Sequence, residues 1–257
     1  MYPVIKNSTY LSKKANGQPY DKPIFHEKPL LAITFDDGIL SDYTVAFPEM
    51  TSRGIKGTSY IIGSHPDSGL NQRMSWVQIK ELQDSDMWDI QSHTFNHIRS
   101  SEATEQELVE DYNNQTEVFE QNGLKKPEHL AYPFGAHSDL SHQVYDTLYK
   151  SSRLTNYSHT NVNRYESFNV NSIMSVTGDT NDDEKLQFVK DAIDYAIENN
   201  GLLTLYLHQI TPNVGTYPSA TARVYFDKIL DYVVASEIET VTISEMVDHV
   251  EKYKQST

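Results

Sequence analysis

The sequence predicts one α/β domain whose parallel strands close toward a barrel. Short apolar segments alternate with amphipathic ones along most of the chain, which is typical of parallel strands joined by helices. The chain has 257 residues, of which 38% are apolar, enough for one sizeable core. No linker rich in Pro, Gly or Ser divides it, so we expect an extended polar lead-in over residues 1–28 and a single catalytic domain over residues 29–257.

Six apolar segments have the length and composition of strands. The first has the sequence Leu-Leu-Ala-Ile-Thr-Phe and is followed by Asp-Asp-Gly, which predicts a buried strand that ends in a turn. The predicted strands cover residues 30–35, 55–62, 87–90, 130–132, 202–207 and 239–243.

Seven amphipathic helices are predicted between and after these strands. Thr104 and Glu107 form a capping-box pattern that predicts a helix start. Gly201 follows a polar segment where a helix is expected to end. The predicted helices cover residues 44–53, 75–82, 104–122, 139–150, 182–199, 220–235 and 244–254.

Two clusters of polar residues follow predicted strands. Asp36 and Asp37 are adjacent at the end of the first strand, where successive side chains point apart, so one can bind a metal while the other acts as a base. His93 and His97 have a spacing of four, which places both imidazoles on one face if the segment forms a helical turn. One carboxylate and two imidazoles are a common ligand set for a catalytic divalent metal.

Each cluster also has a purely structural explanation. Asp-Asp-Gly is common in turns, and two His at this spacing can arise by chance in a chain with 10 His. Together, however, the clusters lie at the strand ends where α/β folds place active sites. The combination predicts a metal-assisted hydrolase.

The clusters resemble motifs of the polysaccharide deacetylases, also called carbohydrate esterase family four or the chitooligosaccharide deacetylase homology domain. Thr-Phe-Asp-Asp-Gly at residues 34–38 resembles the first motif, and His-Thr-Phe-Asn-His at residues 93–97 the second. Ala-Tyr-Pro-Phe-Gly at residues 131–135 resembles the third motif, and Leu-Tyr-Leu-His-Gln-Ile at residues 205–210 the last. The resemblance covers residues 28–250 and implies a distorted (β/α) barrel of about seven strands.

The resemblance assigns a role to each side chain of the site. Asp37, His93 and His97 would be the metal ligands. Asp36 would be the general base that accepts a proton from the attacking water. His208 would be the general acid that protonates the leaving amine, which an amide substrate requires.

The third and fourth motifs would shape the substrate site. In the family, the backbone N–H of the aromatic residue after Pro133, here Phe134, joins the metal in binding the oxyanion. Tyr132 and Leu207 would line the pocket for the acetyl group. The aromatic residues that we expect to stack on sugar rings are Trp76, Tyr132, Tyr206 and Tyr217.

One position departs from the family pattern. Many members have an Arg at the position of Ala131, where it orients the catalytic Asp, and some poly-N-acetylglucosamine deacetylases use an Arg from a later strand instead. The corresponding residues 168–176 contain no Arg here, which leaves Arg153 and Arg164 as candidates. Without such a partner the pKa of Asp36 would rise. The Asp that tunes His208 in the family is unassigned, with Asp179 as a candidate.

The resemblance implies a deacetylase that depends on a divalent metal, zinc first and cobalt, manganese or nickel as alternatives. Its expected partner is an acetylated glycan: an N-acetylglucosamine polymer such as peptidoglycan, exopolysaccharide or chitin. The alternatives are an O-deacetylase of acetylated xylan, an inactive carbohydrate-binding module of the same fold, and an amidohydrolase of small cyclic amides.

Composition limits the classes of binding partner and bears on the cellular location. With 21 basic and 36 acidic residues the net charge is −15, which disfavours nucleic acid and anionic membranes. The chain has no Cys and therefore no disulfide. The sequence shows neither a signal peptide nor an apolar segment long enough for a membrane span. We expect an extracellular or cell-envelope location, with a phage-borne protein as another option.

Overall fold

The computed structural model describes residues 27–70, 72–155, 169–170, 173–178, 183–212 and 219–256. Arg164, Asp179, Tyr217 and nearly all of the predicted lead-in lie outside these residues.

The described strands confirm the predicted parallel α/β architecture. One sheet contains β1 (Leu30–Phe35), β2 (Gly57–Ile61), β3 (Trp88–Ser92), β4 (His129–Ala131), β5 (Ser151–Arg153), β6 (Asn169–Val170), β7 (Ile173–Ser175) and β8 (Leu202–Leu207). A separate two-stranded sheet pairs β9 (Ile210–Thr211) with β10 (Thr221–Ala222), and β11 (Glu239–Thr240) joins the main sheet beside β1.

The main sheet has the order β6-β5-β4-β3-β2-β1-β8-β7, and its pairings between described strands are parallel. It is the curled half-barrel of a (β/α) barrel. The sheet contains nine strands, more than the expected seven, because strands of two or three residues such as β5, β6, β7 and β11 also pair. Such short segments have too few residues for a periodicity signal.

The described residues form seven α-helices, close to the predicted positions. They are α1 (Phe47–Ser52), α2 (Trp76–Asp84), α3 (Glu105–Gln121), α4 (Asp139–Asp146), α5 (Asp183–Glu198), α6 (Arg223–Ser236) and α7 (Ile243–Ser256). A π-helix at Asp42–Ala46 precedes α1, and a 3₁₀ turn covers Pro133–Gly135. No helix within the described residues has the length and apolar character needed to cross a bilayer.

The helix ends match the sequence signals in one case and differ in another. The predicted capping box at α3 forms, since the Thr104 side chain accepts from the Glu107 N–H and Glu107 accepts from the Thr104 N–H at 2.8 Å. After α5, the left-handed residue is Asn200, with φ 46°, and not Gly201. Asn tolerates this conformation better than most residues with a side chain, so it can end a helix in place of Gly.

β1 is buried on both faces, which explains why its sequence is almost continuously apolar. Leu31, Ile33 and Phe35 pack in the large core, whereas Leu30 and Ala32 pack with residues of α7. The carboxyl end of β1 is therefore held at the centre of the sheet. The Asp36 N–H donates to the carbonyl of Leu207 at 2.9 Å, which joins the first motif to the last.

Candidate metal centre and catalytic site

Asp37, His93 and His97 come together at the carboxyl ends of β1 and β3. The Nε2 atoms of His93 and His97 lie 3.4 and 3.5 Å from Asp37 Oδ1, and the possible donor atoms of the three side chains lie within 4.8 Å of one another. Two ligands bound to one tetrahedral zinc at about 2.1 Å would be about 3.4 Å apart. The spacing therefore fits a divalent metal bound by these three residues.

The hydrogen bonding of His93 supports this fit. Its Nδ1 lies 2.8 Å from the carbonyl oxygen of Ala131, which can only accept, so Nδ1 carries the proton. In the neutral ring Nε2 then has a lone pair directed toward Asp37 Oδ1, which is buried and has no hydrogen-bond partner among the residues that the structure describes. Two acceptors facing each other are stabilised by a cation between them, and a carbonyl behind a ligating His is a common supporting contact.

The electrostatics of the triad also suit metal binding. Burial, followed by the charge of His93, lowers the pKa of His97 to about 4, so this imidazole is neutral at pH 7. Burial raises the pKa of Asp37, but its interactions with His93, His208 and His97 outweigh burial and hold it well below the usual range. Neutral imidazoles and an ionised carboxylate are the forms that bind metals.

The segment from His93 to His97 is not a helical turn, so the condition under which the spacing of four would place both imidazoles on one face is not met. The segment is an irregular loop in which Thr94 has φ 63° and His97 has φ 55°. These left-handed residues turn the chain so that both imidazoles face Asp37. A loop was favoured over a helix because N–H groups of this segment donate to carboxylate oxygens of a neighbouring helix.

Asp111 on α3 supplies two of those acceptors and was not predicted from the sequence. Its carboxylate accepts the N–H of Phe95 at 2.8 Å and that of Asn96 at 3.1 Å. The side chain is 5% exposed. Its signal in the sequence was an acidic residue on the buried, largely apolar face of an amphipathic helix, next to Leu108 and Tyr112.

Backbone strain concentrates at the motifs. Four non-glycine residues with left-handed φ lie in the first three motifs: Asp37 (75°), Thr94 (63°), His97 (55°) and Phe134 (60°). Such residues cost about 1–3 kcal/mol each and persist where surrounding contacts fix them, typically at functional sites.

Arg153 is the partner of Asp36. Its Nη2 donates to Asp36 Oδ1, and both side chains are almost fully buried, at 0% and 1% exposure. Burial raises the pKa of Asp36, but the Arg153 guanidinium and the charges of His93 and His208 outweigh burial, so the pKa is lowered. The rise expected from a missing Arg does not occur.

β-Strand register explains how Arg153 compensates for Ala131. The two residues are directly paired across β4 and β5. An Arg at the neighbouring position of the next strand thus provides the guanidinium that other family members carry at position 131. β5 was not predicted as a strand, which is why sequence alone could not choose between Arg153 and Arg164.

His208 follows β8 and lies at the same rim as Asp36 and Asp37. Its charge lowers the pKa of both carboxylates. Its Nδ1 is buried and has no hydrogen-bond partner in the described part of the chain. The geometry brings His208 to the carboxylates, as the motif predicted, while its expected partner Asp179 lies outside the described residues.

The predicted substrate-binding residues differ in exposure. The Phe134 ring is 56% exposed, lies 4.5 Å from the His97 ring between centroids, and is covered by the Arg99 guanidinium at 4.6 Å. Pro133 and Leu207 are buried beneath this rim.

Tyr132 packs in the protein interior, whereas Trp76 is half-buried. Tyr132 is 0% exposed and its hydroxyl lies 3.0 Å from Nδ1 of His142, so it has no free surface with which to line an acetyl pocket or stack on a sugar. Trp76 begins α2 and packs edge to face against Phe119 at 6.0 Å, which leaves it half-buried. The structure thus does not support the role predicted for Tyr132, and that of Trp76 stays a prediction.

Part of the chain is similar in sequence to known deacetylases. The polysaccharide deacetylase family model matches residues 25–149. YxkH of Bacillus subtilis, a candidate polysaccharide deacetylase, is 27% identical over 107 residues, which are 42% of this chain and 37% of that protein. The poly-beta-1,6-N-acetyl-D-glucosamine N-deacetylase of Staphylococcus aureus is 25% identical over 118 residues, which are 42% of this chain and 41% of that protein.

A solved structure shares the fold over most of the chain. The CE4 family pseudoenzyme from Bacillus anthracis has a TM-score of 0.59 at 13% identity, covering 87% of this chain and 66% of that one. The chain spans only 37% to 41% of the length of the curated relatives named above. The shared fold of the solved structure confirms the predicted fold, and the match to the family model confirms the family resemblance.

Proposed function

We propose that the chain is a metal-dependent hydrolase that removes acetyl groups from an N-acetylated glycan, since the polysaccharide deacetylase family model matches residues 25–149. The observation that carries this proposal is the separation of the two adjacent carboxylates. Asp36 is paired with Arg153, and Asp37 faces His93 and His97. One carboxylate can thus bind a metal while its neighbour accepts a proton.

A divalent metal held by Asp37, His93 and His97 would polarise the acetyl carbonyl and make water a stronger nucleophile near neutral pH. Three protein ligands leave a position open for water and substrate. We propose zinc, with cobalt, manganese and nickel as alternatives.

The residues of the chain account for the proton transfers. Asp36 is ionised because Arg153 keeps its pKa low, so it can accept the proton of the attacking water. His208, on the same rim, would donate the proton that the leaving amine needs. The N–H of Phe134 would donate to the developing oxyanion, and its left-handed backbone sets the direction of that N–H.

We propose an N-acetylglucosamine polymer as the substrate. The Staphylococcus aureus relative carries poly-beta-1,6-N-acetyl-D-glucosamine in its name, and a net charge of −15 favours a neutral or cationic glycan over an acidic one. Such polymers belong to cell envelopes and biofilms, so we propose an extracellular or envelope-associated site of action.

Acetate release tests the proposal. N-acetylglucosamine oligomers are incubated with the zinc-loaded protein, the chelated protein and the Asp36→Asn variant. We expect release only with the zinc-loaded wild type, because Asn cannot accept the proton, while the variant keeps its zinc. Acetylated xylan serves as a parallel substrate, and faster release from it would assign the O-deacetylase alternative.

A carbohydrate-binding module without turnover was an alternative because an orienting Arg was missing. Arg153 removes that reason, since it contacts Asp36 directly. Binding of oligomers without acetate release by the zinc-loaded wild type would nevertheless assign this alternative and reject the proposal.

A further inference from the structure

Arg153 lies between the rings of two tyrosines. Its Cζ is 4.9 Å from the centroid of Tyr60 on β2 and 4.9 Å from that of Tyr206 on β8. The two rings are 1% and 8% exposed. β2 and β8 both pair with β1, which leads to Asp36, so the tyrosines approach the guanidinium from the two neighbours of that strand.

Hydrogen bonds alone leave the guanidinium weakly fixed. Nη2 donates to Asp36 and Nη1 makes a long contact of 3.4 Å with the Leu154 carbonyl. Nε is buried and has no hydrogen-bond partner among the described residues. An Arg has five N–H donors, and the hydrogen bonds to the described residues do not use all of them.

Ring faces can supply the missing restraint. The face of an aromatic ring is electrostatically negative and attracts a cation, more strongly when water is excluded. A guanidinium is flat and stacks on such faces, whereas the ammonium of Lys does not. Because the pair with Asp36 is buried, a rotation of the guanidinium would leave a carboxylate unpaired, so the restraint has a direct effect on the site.

We infer that Tyr60 and Tyr206 are positioning residues whose ring faces hold the Arg153 guanidinium in the orientation that directs Nη2 at Asp36. For its effect on turnover this inference rests on the proposed function. It gives Tyr206 a role different from the sugar stacking expected from the sequence, because the nearly buried ring contacts Arg153.

Kinetics test the inference through paired substitutions. Tyr60→Leu and Tyr206→Leu remove a ring face, whereas Tyr60→Phe and Tyr206→Phe keep it. We expect kcat of the Leu variants to fall about 10- to 100-fold, as is common for residues that orient a catalytic group, with KM and bound zinc unchanged. Tyr206→Phe should have kcat close to wild type. Tyr60→Phe should lose less kcat than Tyr60→Leu, because it keeps the ring face and loses only the hydroxyl that interacts with Arg153.

Tyr112→Leu is the matched control. This tyrosine on α3 is 6% exposed and also contacts a cation, Lys126 at 5.4 Å, but it does not contact Arg153 or Asp36. It should lose stability like the other Leu variants and keep the wild-type kcat. Arg153→Lys keeps the charge without the flat faces, so it should lose kcat as the Leu variants do, even if a Leu variant fails to fold.

NMR spectroscopy of the metal-free protein tests the contact without any turnover. The Nε–H proton of Arg153, identified by its absence in Arg153→Lys, should be shifted upfield by the two rings and should move back in each Leu variant that folds. Full kcat in Arg153→Lys, equal losses in the Phe and Leu variants, or an Arg153 signal without an upfield shift in the wild type would each overturn the inference. Absence of acetate release by the wild type would reject the proposed function alone.

Discussion

The guanidinium of Arg153 contacts Asp36 from the strand position next to Ala131. The charge pair that the family pattern places at position 131 on β4 is thus made from β5, one strand further along the sheet. Since the pair is almost completely buried, removing either side chain would leave the charge of the other unpaired in the interior. The first prediction follows from removing one of them.

Arg153→Met should move the acid limb of the pH–rate profile to higher pH. In the wild type the pKa of Asp36 is lowered, so the carboxylate stays ionised and active until the pH falls through that low value. Without Arg153, burial raises the pKa, and activity is lost earlier as the pH falls. The measurement is kcat/KM between pH 4 and 9. An acid limb that stays in place would show that Arg153 does not control Asp36.

Removal of the metal should destabilise the fold. A ligand at 100 times its Kd stabilises the native state by about 2.7 kcal/mol, so zinc should raise Tm and a chelator should reverse the rise. In Asp37→Ala zinc should no longer raise Tm. His137→Ala, which replaces a half-buried His of the third-motif loop, should respond to zinc like the wild type; an equal loss of response there would contradict the assigned ligand set.

Asp111→Asn should weaken metal binding although Asp111 is not one of the three proposed metal ligands. The Asn side chain has one acceptor oxygen in place of two, so one of the N–H groups of Phe95 and Asn96 loses its bond. We expect a loss of about 1–3 kcal/mol in the free energy of unfolding and zinc affinity about 10- to 100-fold lower. Calorimetry measures both quantities. Glu110→Gln, at the preceding and exposed position, should change neither.

Gly63→Ala should displace the loop of the second motif, residues 93–97, because Gly63 packs against it. A Cβ there would overlap Gln115 Oε1 and lie 2.8 Å from Phe95 Cδ2. The Gly63 N–H also donates to the carbonyl of Thr94 at 3.2 Å, so a shift of Gly63 would move the loop between the two His ligands. We expect a lower Tm together with weaker zinc binding.

Gly54→Ala is the control for that experiment, because it should lower stability at a position that does not contact the metal site. No atom lies within 4 Å of a Cβ at Gly54, but its φ of 71° makes any side chain unfavourable. It should therefore lower Tm without changing zinc affinity. If Gly63→Ala behaves in the same way, the contact with the second motif has no influence on the metal site.

Several features were predictable because their signals are local. Each signal comes from residues that are close in sequence. This holds for the strand before Asp36, for the capping box of α3 and for each of the alternating strands and helices. The strands β5, β6 and β7 were not predicted as strands, since segments of two or three residues form strands only through their neighbours in the sheet. The conformation of the loop from His93 to His97 could not be predicted, because the spacing of the two His does not reveal the acceptor at Asp111.

The sequence by itself determined the candidate metal ligands and the general base, since Asp36 and Asp37 are adjacent and His93 and His97 lie in one short motif. Only the tertiary structure decided how Asp36 is held. Arg153 is 117 residues away from Asp36 in the chain. The two side chains meet because β5 pairs in register with β4 and because the sheet is curled, so that side chains of separate strands point into the same interior. A buried Arg is stable only when such long-range contacts supply its partners, and those contacts are a property of the folded sheet.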